Sequence, residues 1–369
     1  MSDNGKIIAG FGEVMLRISP ADKMRFAQVL PGSMDVTFGG GEANVCASIA
    51  MMGGKARYLT ALPDNFLAKA FAAEQRGFGT DVEHIRYTKD GRMGVYYAEH
   101  GAAQRGSNVV YDRANSVISL LKPEDYDFDD MLNGVSHLHV TGITPALSEN
   151  AFLSTLALVK KAAEKNIRIS CDLNFRKKLW KWGGANLSQK ELAGKCMKEI
   201  VSYADIIIGN EEDAQDVFGI YAQNSSVEQG KINIAGYTDV AKKLCSAFPK
   251  AQFVAITLRE SFSADHNNWG GMLYDKANDT AHFAPLAADG SYAPYEIHDI
   301  IDRFGGGDSF CAGLIFALYS DEYSAPADAI RYAVAASCLK HTVHGDYNYA
   351  SKDEVLNLMN GNTSGRVKR

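Results

Sequence analysis

The chain contains no apolar run long enough to span a bilayer, and its opening Met1-Ser2-Asp3-Asn4-Gly5-Lys6 lacks the pattern of a secretory signal, so a cytoplasmic protein is expected. Cysteine is scarce. The six residues Cys46, Cys171, Cys196, Cys245, Cys311 and Cys338 show no C-x-x-C spacing and mostly sit in apolar runs, which reads as reduced, buried thiols. Positive charge is also short: 38 Lys and Arg face 44 Asp and Glu, for a net charge of -6. That balance argues against nucleic acid or an anionic membrane as the main partner. It leaves an anionic small molecule open, because local arginines decide that. No G-x-x-x-x-G-K-[ST] occurs anywhere, which removes a Walker-type nucleotide site, and no internal repeat is evident.

What is present is ordinary globular material, 369 residues with 46% hydrophobic and 22% charged, enough for one large α/β domain or two smaller ones. Buried-strand runs recur at 6–11, 56–62, 137–141, 167–172, 205–209 and 253–258. Helical patterns lie between them at 43–52, 65–76, 149–165 and 239–247. This alternation predicts a doubly wound, mostly parallel sheet. Two stretches, 14–38 and 91–113, are β in character instead, the second with the period-2 run Gly94-Val95-Tyr96-Tyr97-Ala98-Glu99. They are expected to pair as a small discontinuous β-sheet lid over a core formed by 1–13, 39–90 and 114–369. Residues 222–236 read as a polar surface insertion, and the basic tail after Asn360 as frayed.

The most informative stretch is Asp302-Arg303-Phe304-Gly305-Gly306-Gly307-Asp308 followed by an apolar helical run. Bare backbone N–H groups and a helix N-terminus suit a phosphate. An aspartate there is costly unless it takes a proton from an attacking hydroxyl, so phosphoryl transfer leads. A second cluster, Gly39-Gly40-Gly41-Glu42-Ala43-Asn44, precedes a small-residue helix, and by itself fits a hinge or a close approach to a ligand equally well. Asp172-Leu173-Asn174-Phe175-Arg176 and Asn210-Glu211-Glu212-Asp213 each follow a predicted parallel strand, where open α/β sheets bind ligands. Both also read as helix or loop caps. Tyr111 and Arg113 share one face of a β stretch, an exposed pair or a substrate contact. Gly10-Phe11-Gly12 imitates the start of a dinucleotide fingerprint but reads as a tight turn, and the pair His137 and His139 as packing rather than metal ligands.

Together, the two glycine motifs, their order and their separation resemble the ribokinase/PfkB family of carbohydrate kinases, over nearly the whole chain from Lys6 to about Asn348. The runs 172–176, 257–261 and 110–113 look most like the family's 2-keto-3-deoxygluconate kinases. The resemblance implies a ribokinase-like fold, ATP and Mg²⁺ as co-substrate and ion, and possible pairing of subunits through the lid. It maps Asp308 to the catalytic base and the backbone of Gly305, Gly306 and Gly307 to the anion hole. Gly40, Tyr96, Tyr111, Arg113, Arg176 and Asp346 map to sugar-acid contacts, and Asn210 and Thr257 to the nucleotide site. Three positions depart from the family's pattern. Arg303 stands where a small hydroxyl residue is usual, leaving the family's neighbouring monovalent-cation site open for this chain. Gly306 stands where alanine is usual, and Asp213 where glutamate is usual, so that its role with magnesium passes to Glu211 or Glu212. Two arginines aimed at one ligand favour a carboxylate, hence ATP-dependent phosphorylation of the primary hydroxyl of 2-keto-3-deoxygluconate. Related fructokinases share D-x-N-x-R, so Arg113 carries most of that choice. A fructokinase or another sugar-acid kinase is the alternative, and a silent sugar-binding regulator a more distant one.

Overall fold

The computed structural model describes residues 5–184, 186–210, 212–222 and 234–362. Most of the expected insertion, Glu211 and the last seven residues of the tail lie outside the described residues. Six parallel strands form the centre, in the order Lys55–Leu59, Ile7–Phe11, Val135–Thr141, Arg168–Asp172, Ile206–Asn210 and Phe253–Ser261. Antiparallel strands Asn267–Asp275 and Thr280–Ala284 extend that sheet beyond Phe253–Ser261, and the short Tyr295–Ile297 pairs with Asn267–Asp275.

Strand residues alternate between two apolar clusters. Ile207, Val254 and Ile256 face one with helices Glu149–Glu164 and Gln189–Val201, whereas Ile206, Ile208 and Ala255 face the other with helices Gly41–Met51 and Gly306–Tyr319. Both faces of the sheet are covered, which is why its strands read as unbroken apolar runs. Helices on both faces make the fold the doubly wound α/β class expected from sequence.

A separate four-stranded sheet has the order Asp35–Gly39, Met15–Ser19, Gly94–Glu99 and Asn108–Asp112. Its two middle strands come from the two separated β stretches and pair in parallel. A short helix, Phe26–Val29, interrupts the first stretch.

Two boundaries differ from expectation. The run 56–62 splits: Lys55–Leu59 stays in the main sheet, while Ala61–Pro63 pairs with Arg86–Thr88 in a sheet of two strands. Both halves are buried, so hydropathy does not mark the break. The glycine-led helices start earlier than the apolar pattern suggests, at Gly41 and Gly306, so that a single glycine precedes each as its cap.

Candidate active site

Gly305 holds a left-handed conformation with φ of 75°, and a Cβ there would lie 1.9 Å from the carbonyl oxygen of Asp346. Only glycine fits such a backbone at such a distance. Helix Gly306–Tyr319 begins at the next residue, so Gly306 and Gly307 form its first turn instead of a longer loop. A Cβ on Gly307 would meet nothing within 4 Å, and the Ser337 hydroxyl donates to the Gly306 carbonyl at 2.8 Å. The turn is therefore held from below and bare above, with unpaired helix N–H groups on the open side.

The other glycine cluster meets this turn. Gly40 N–H donates to Asn44 Oδ1 at 3.3 Å, and Asn44 Nδ2 donates to Asp308 Oδ2 at 2.6 Å. A Cβ on Gly40 would stand 2.2 Å from the carbonyl oxygen of Glu13, so the first motif requires glycine for close backbone packing. Burial raises the Asp308 carboxyl to about 6, while the Asn44 hydrogen bond and the charges of Arg176 and Lys340 oppose the shift. A carboxylate poised near neutral pH suits proton acceptance.

Two adjoining cavities open at Asp308. One, of about 430 Å³, is lined by Gly40, Tyr96, Tyr111, Arg113, Arg176 and Asp346 among others. The second, of about 510 Å³, is lined by Asn210, Thr257, Gly305, Gly306 and Gly307 among others. Tyr111, Arg176, Asn210, Asp213, Arg259, Phe304, Gly305 and Asp308 border both. The residues singled out in the sequence are thus brought together, and they sort into two chambers that share one wall.

Not all of them are equally available. Arg113 pairs with the buried Glu13 and lies 5.4 Å from the Tyr111 ring centre. Asp346 Oδ1 accepts from Tyr96 Oη at 2.6 Å and from Arg17 at 2.7 Å, so its charge is already committed. Arg17, 2% exposed, also pairs with Asp302 at 2.7 Å and lies over the Phe304 ring. It thereby fastens the smaller sheet to the glycine turn. Asp213 accepts from the backbone N–H groups of Phe175 and Asn210, at 3.0 Å each, and acts as a cap. Glu212 lines the 430 Å³ cavity and is exposed. Arg176 is exposed, and its side chain has no hydrogen bond or ion pair among the described residues.

Sequence reasoning missed four contributors. Arg17 and Glu13 are buried charges inside apolar segments, a pattern that marks partnered groups. Glu42 is buried behind Asp308, raised to about 7 by burial, with Thr141 donating to it at 2.8 Å. Arg259 shares a strand face with Thr257 two residues earlier, which was a usable signal. Gly10 and Gly12 serve helix packing: a Cβ on Gly12 would lie 2.0 Å from the Glu42 carboxylate. His137 and His139 both share the Ser170 hydroxyl, at 2.7 and 2.8 Å, and no metal-holding group of three or more His, Cys, Asp or Glu occurs among the described residues.

Residues 8–257 match the pfkB family carbohydrate kinase model, and the chain belongs to that family. It is a carbohydrate kinase on a ribokinase-like fold. The crystal structure of 2-dehydro-3-deoxygluconokinase from Thermotoga maritima is 40% identical, with a TM-score of 0.85 over 96% of this chain and 100% of that one. A 2-dehydro-3-deoxygalactonokinase from Haloferax volcanii is 28% identical over 96% of this chain and 97% of its own length. A Bacillus subtilis 2-dehydro-3-deoxygluconokinase is 23% identical over 86% of this chain and 84% of its own.

Proposed function

We propose that this kinase moves the γ-phosphoryl group of ATP to the primary hydroxyl of 2-keto-3-deoxygluconate, also called 2-dehydro-3-deoxygluconate. The observation carrying this reading is Asp308, on the wall common to both cavities, which the glycine turn and Arg176 also border. The sugar acid would occupy the 430 Å³ chamber, its carboxylate on Arg176 and its hydroxyls on Tyr96, Tyr111 and Arg113. The nucleotide would occupy the 510 Å³ chamber against Asn210 and Thr257. That chamber fits a phosphorylated ligand, because Gly307 leaves open the space a Cβ would fill.

In this mechanism Asp308 takes the hydroxyl proton as the new O–P bond forms and the bond to the β-phosphate oxygen breaks, releasing ADP. The amides of Gly305, Gly306 and Gly307 stabilise charge on the transferring oxygens. Asn44 orients the Asp308 carboxylate through the hydrogen bond from its Nδ2. Magnesium bound with the nucleotide would supply further neutralisation of phosphate charge, and Glu211 or Glu212 would hold it, Glu212 from the 430 Å³ chamber that it lines. The smaller sheet, carrying Tyr96 and Tyr111, covers the sugar chamber as a lid and keeps water from competing as acceptor.

The relatives named above differ in the configuration of one substrate carbon, so the galacto epimer is a specific second reading, and fructose a third. ATP consumption measured with 2-keto-3-deoxygluconate, its galacto epimer and fructose distinguishes them. Turnover with fructose alone would overturn the sugar-acid assignment, and a higher kcat/KM with the epimer would move it to the galacto acid.

A further inference from the structure

The 510 Å³ cavity carries two guanidinium groups that no step above uses, Arg259 and Arg303. Arg259 lies opposite Trp269 in the antiparallel pair of strands, two positions from Thr257, so Thr257, Arg259 and Trp269 project from one face into one chamber. Arg259 is exposed, and its side chain has no hydrogen bond or ion pair among the described residues. Arg303 is anchored through one Nη to the Ser263 carbonyl and to Asn267 Oδ1, the latter at 2.8 Å, whereas its Nε is buried without a partner. Trp269, 5% exposed, likewise keeps its indole Nε1–H unpaired. Burial together with the nearby positive charge of Arg259 weakens proton binding on Arg303, against the opposing charge of Asp265.

Unpaired donors and like charges converging on one chamber are costly without an anion between them. Arg303 lines only the glycine-turn chamber, whereas Arg259 borders both chambers. We propose that Arg259 and Arg303 form a two-arginine clamp on the nucleotide's phosphate chain, gripping the phosphates that ATP and ADP share. This rests on the reading that the larger of the two chambers holds the nucleotide. It assigns a purpose to Arg303, which stands where the family usually has a small hydroxyl residue.

The test is calorimetry on the full chain with magnesium and no sugar acid, comparing ADP with adenosine. Arg259→Gln alters an exposed side chain and is expected to fold normally. It should weaken ADP by about tenfold or more while leaving adenosine unchanged. Arg303→Lys keeps the charge but loses the fork, and should weaken ADP by several-fold with adenosine again unchanged. Unaltered ADP affinity in Arg259→Gln would overturn the clamp, as would a rise in sugar-acid KM alone, which would move Arg259 to the other chamber. A wild-type protein that binds neither adenosine nor ADP would instead remove the nucleotide reading itself. A wrong choice of sugar acid changes none of these results.

Discussion

Asn44 Nδ2 donates to Asp308 Oδ2 across 2.6 Å, joining residues 264 positions apart in sequence. The two glycine motifs are therefore halves of one device: Gly40 fixes Asn44, and Asn44 fixes the carboxylate. Because the bond stabilises the charged form inside a buried site, it holds down a proton affinity that burial raises.

Replacing Asn44 by Leu removes that donor and leaves the burial term unopposed. The Asp308 carboxyl then rises further, by about one unit for a charge-assisted hydrogen bond. The acid limb of kcat/KM should move upward by the same amount, as read from its pH profile. An unmoved limb with lower kcat would reduce Asn44 to a purely structural part.

As the proposed base, Asp308 must be ionised to act. With its carboxyl raised to about 6, activity should climb as pH rises through that value and level off above it. Asp308→Asn should lower kcat by about 10²–10⁴ while ADP binding persists in calorimetry. Near-normal kcat in this variant would dismiss Asp308 as the base.

The Arg176 side chain is exposed and unpaired, whereas Arg113 is paired with Glu13. Arg176→Gln should raise KM for a sugar acid by roughly 10-fold to 100-fold, with little change for a neutral sugar. Arg113→Gln should also reduce stability, since it strands the buried Glu13 carboxylate, and denaturant titration would register that loss. Equal losses of Arg176→Gln toward acid and neutral sugars would refute carboxylate recognition.

Arg17 sits between Asp302 and Asp346 with 2% exposure. Arg17→Met leaves two carboxylates without their counter-charge and should cost about 3–5 kcal/mol in urea unfolding near neutral pH. Adding Asp302→Asn and Asp346→Asn should recover much of it. No recovery would mean that the arginine acts through packing on Phe304 instead of charge.

Much of this was legible along the chain. Strands such as Ile206–Asn210 announce themselves because helices cover both sheet faces, which leaves no polar alternation to blur the run. Gly305 and Gly40 stand out because their positions exclude any side chain, a local demand that only one residue type meets. The antiparallel extension at Asn267–Asp275 was less visible, since its pairing depends on Phe253–Ser261 and on nothing within its own polar opening. The break between Leu59 and Ala61 escaped notice because both pieces are buried.

What the sequence by itself determined is the reaction class and the fold. Glycine turns, strand-helix alternation and a lone aspartate at a helix start are short-range features with short-range physical causes. Only the tertiary structure decided which charges are free to meet a ligand. Arg113 is tied to Glu13, Asp346 to Arg17 and Tyr96, and Asp213 to two amides, while Arg176 and Arg259 face the chambers unpaired. Whether a charged side chain recognises substrate or braces the fold depends on partners that arrive from distant segments, and folding alone brings them within reach.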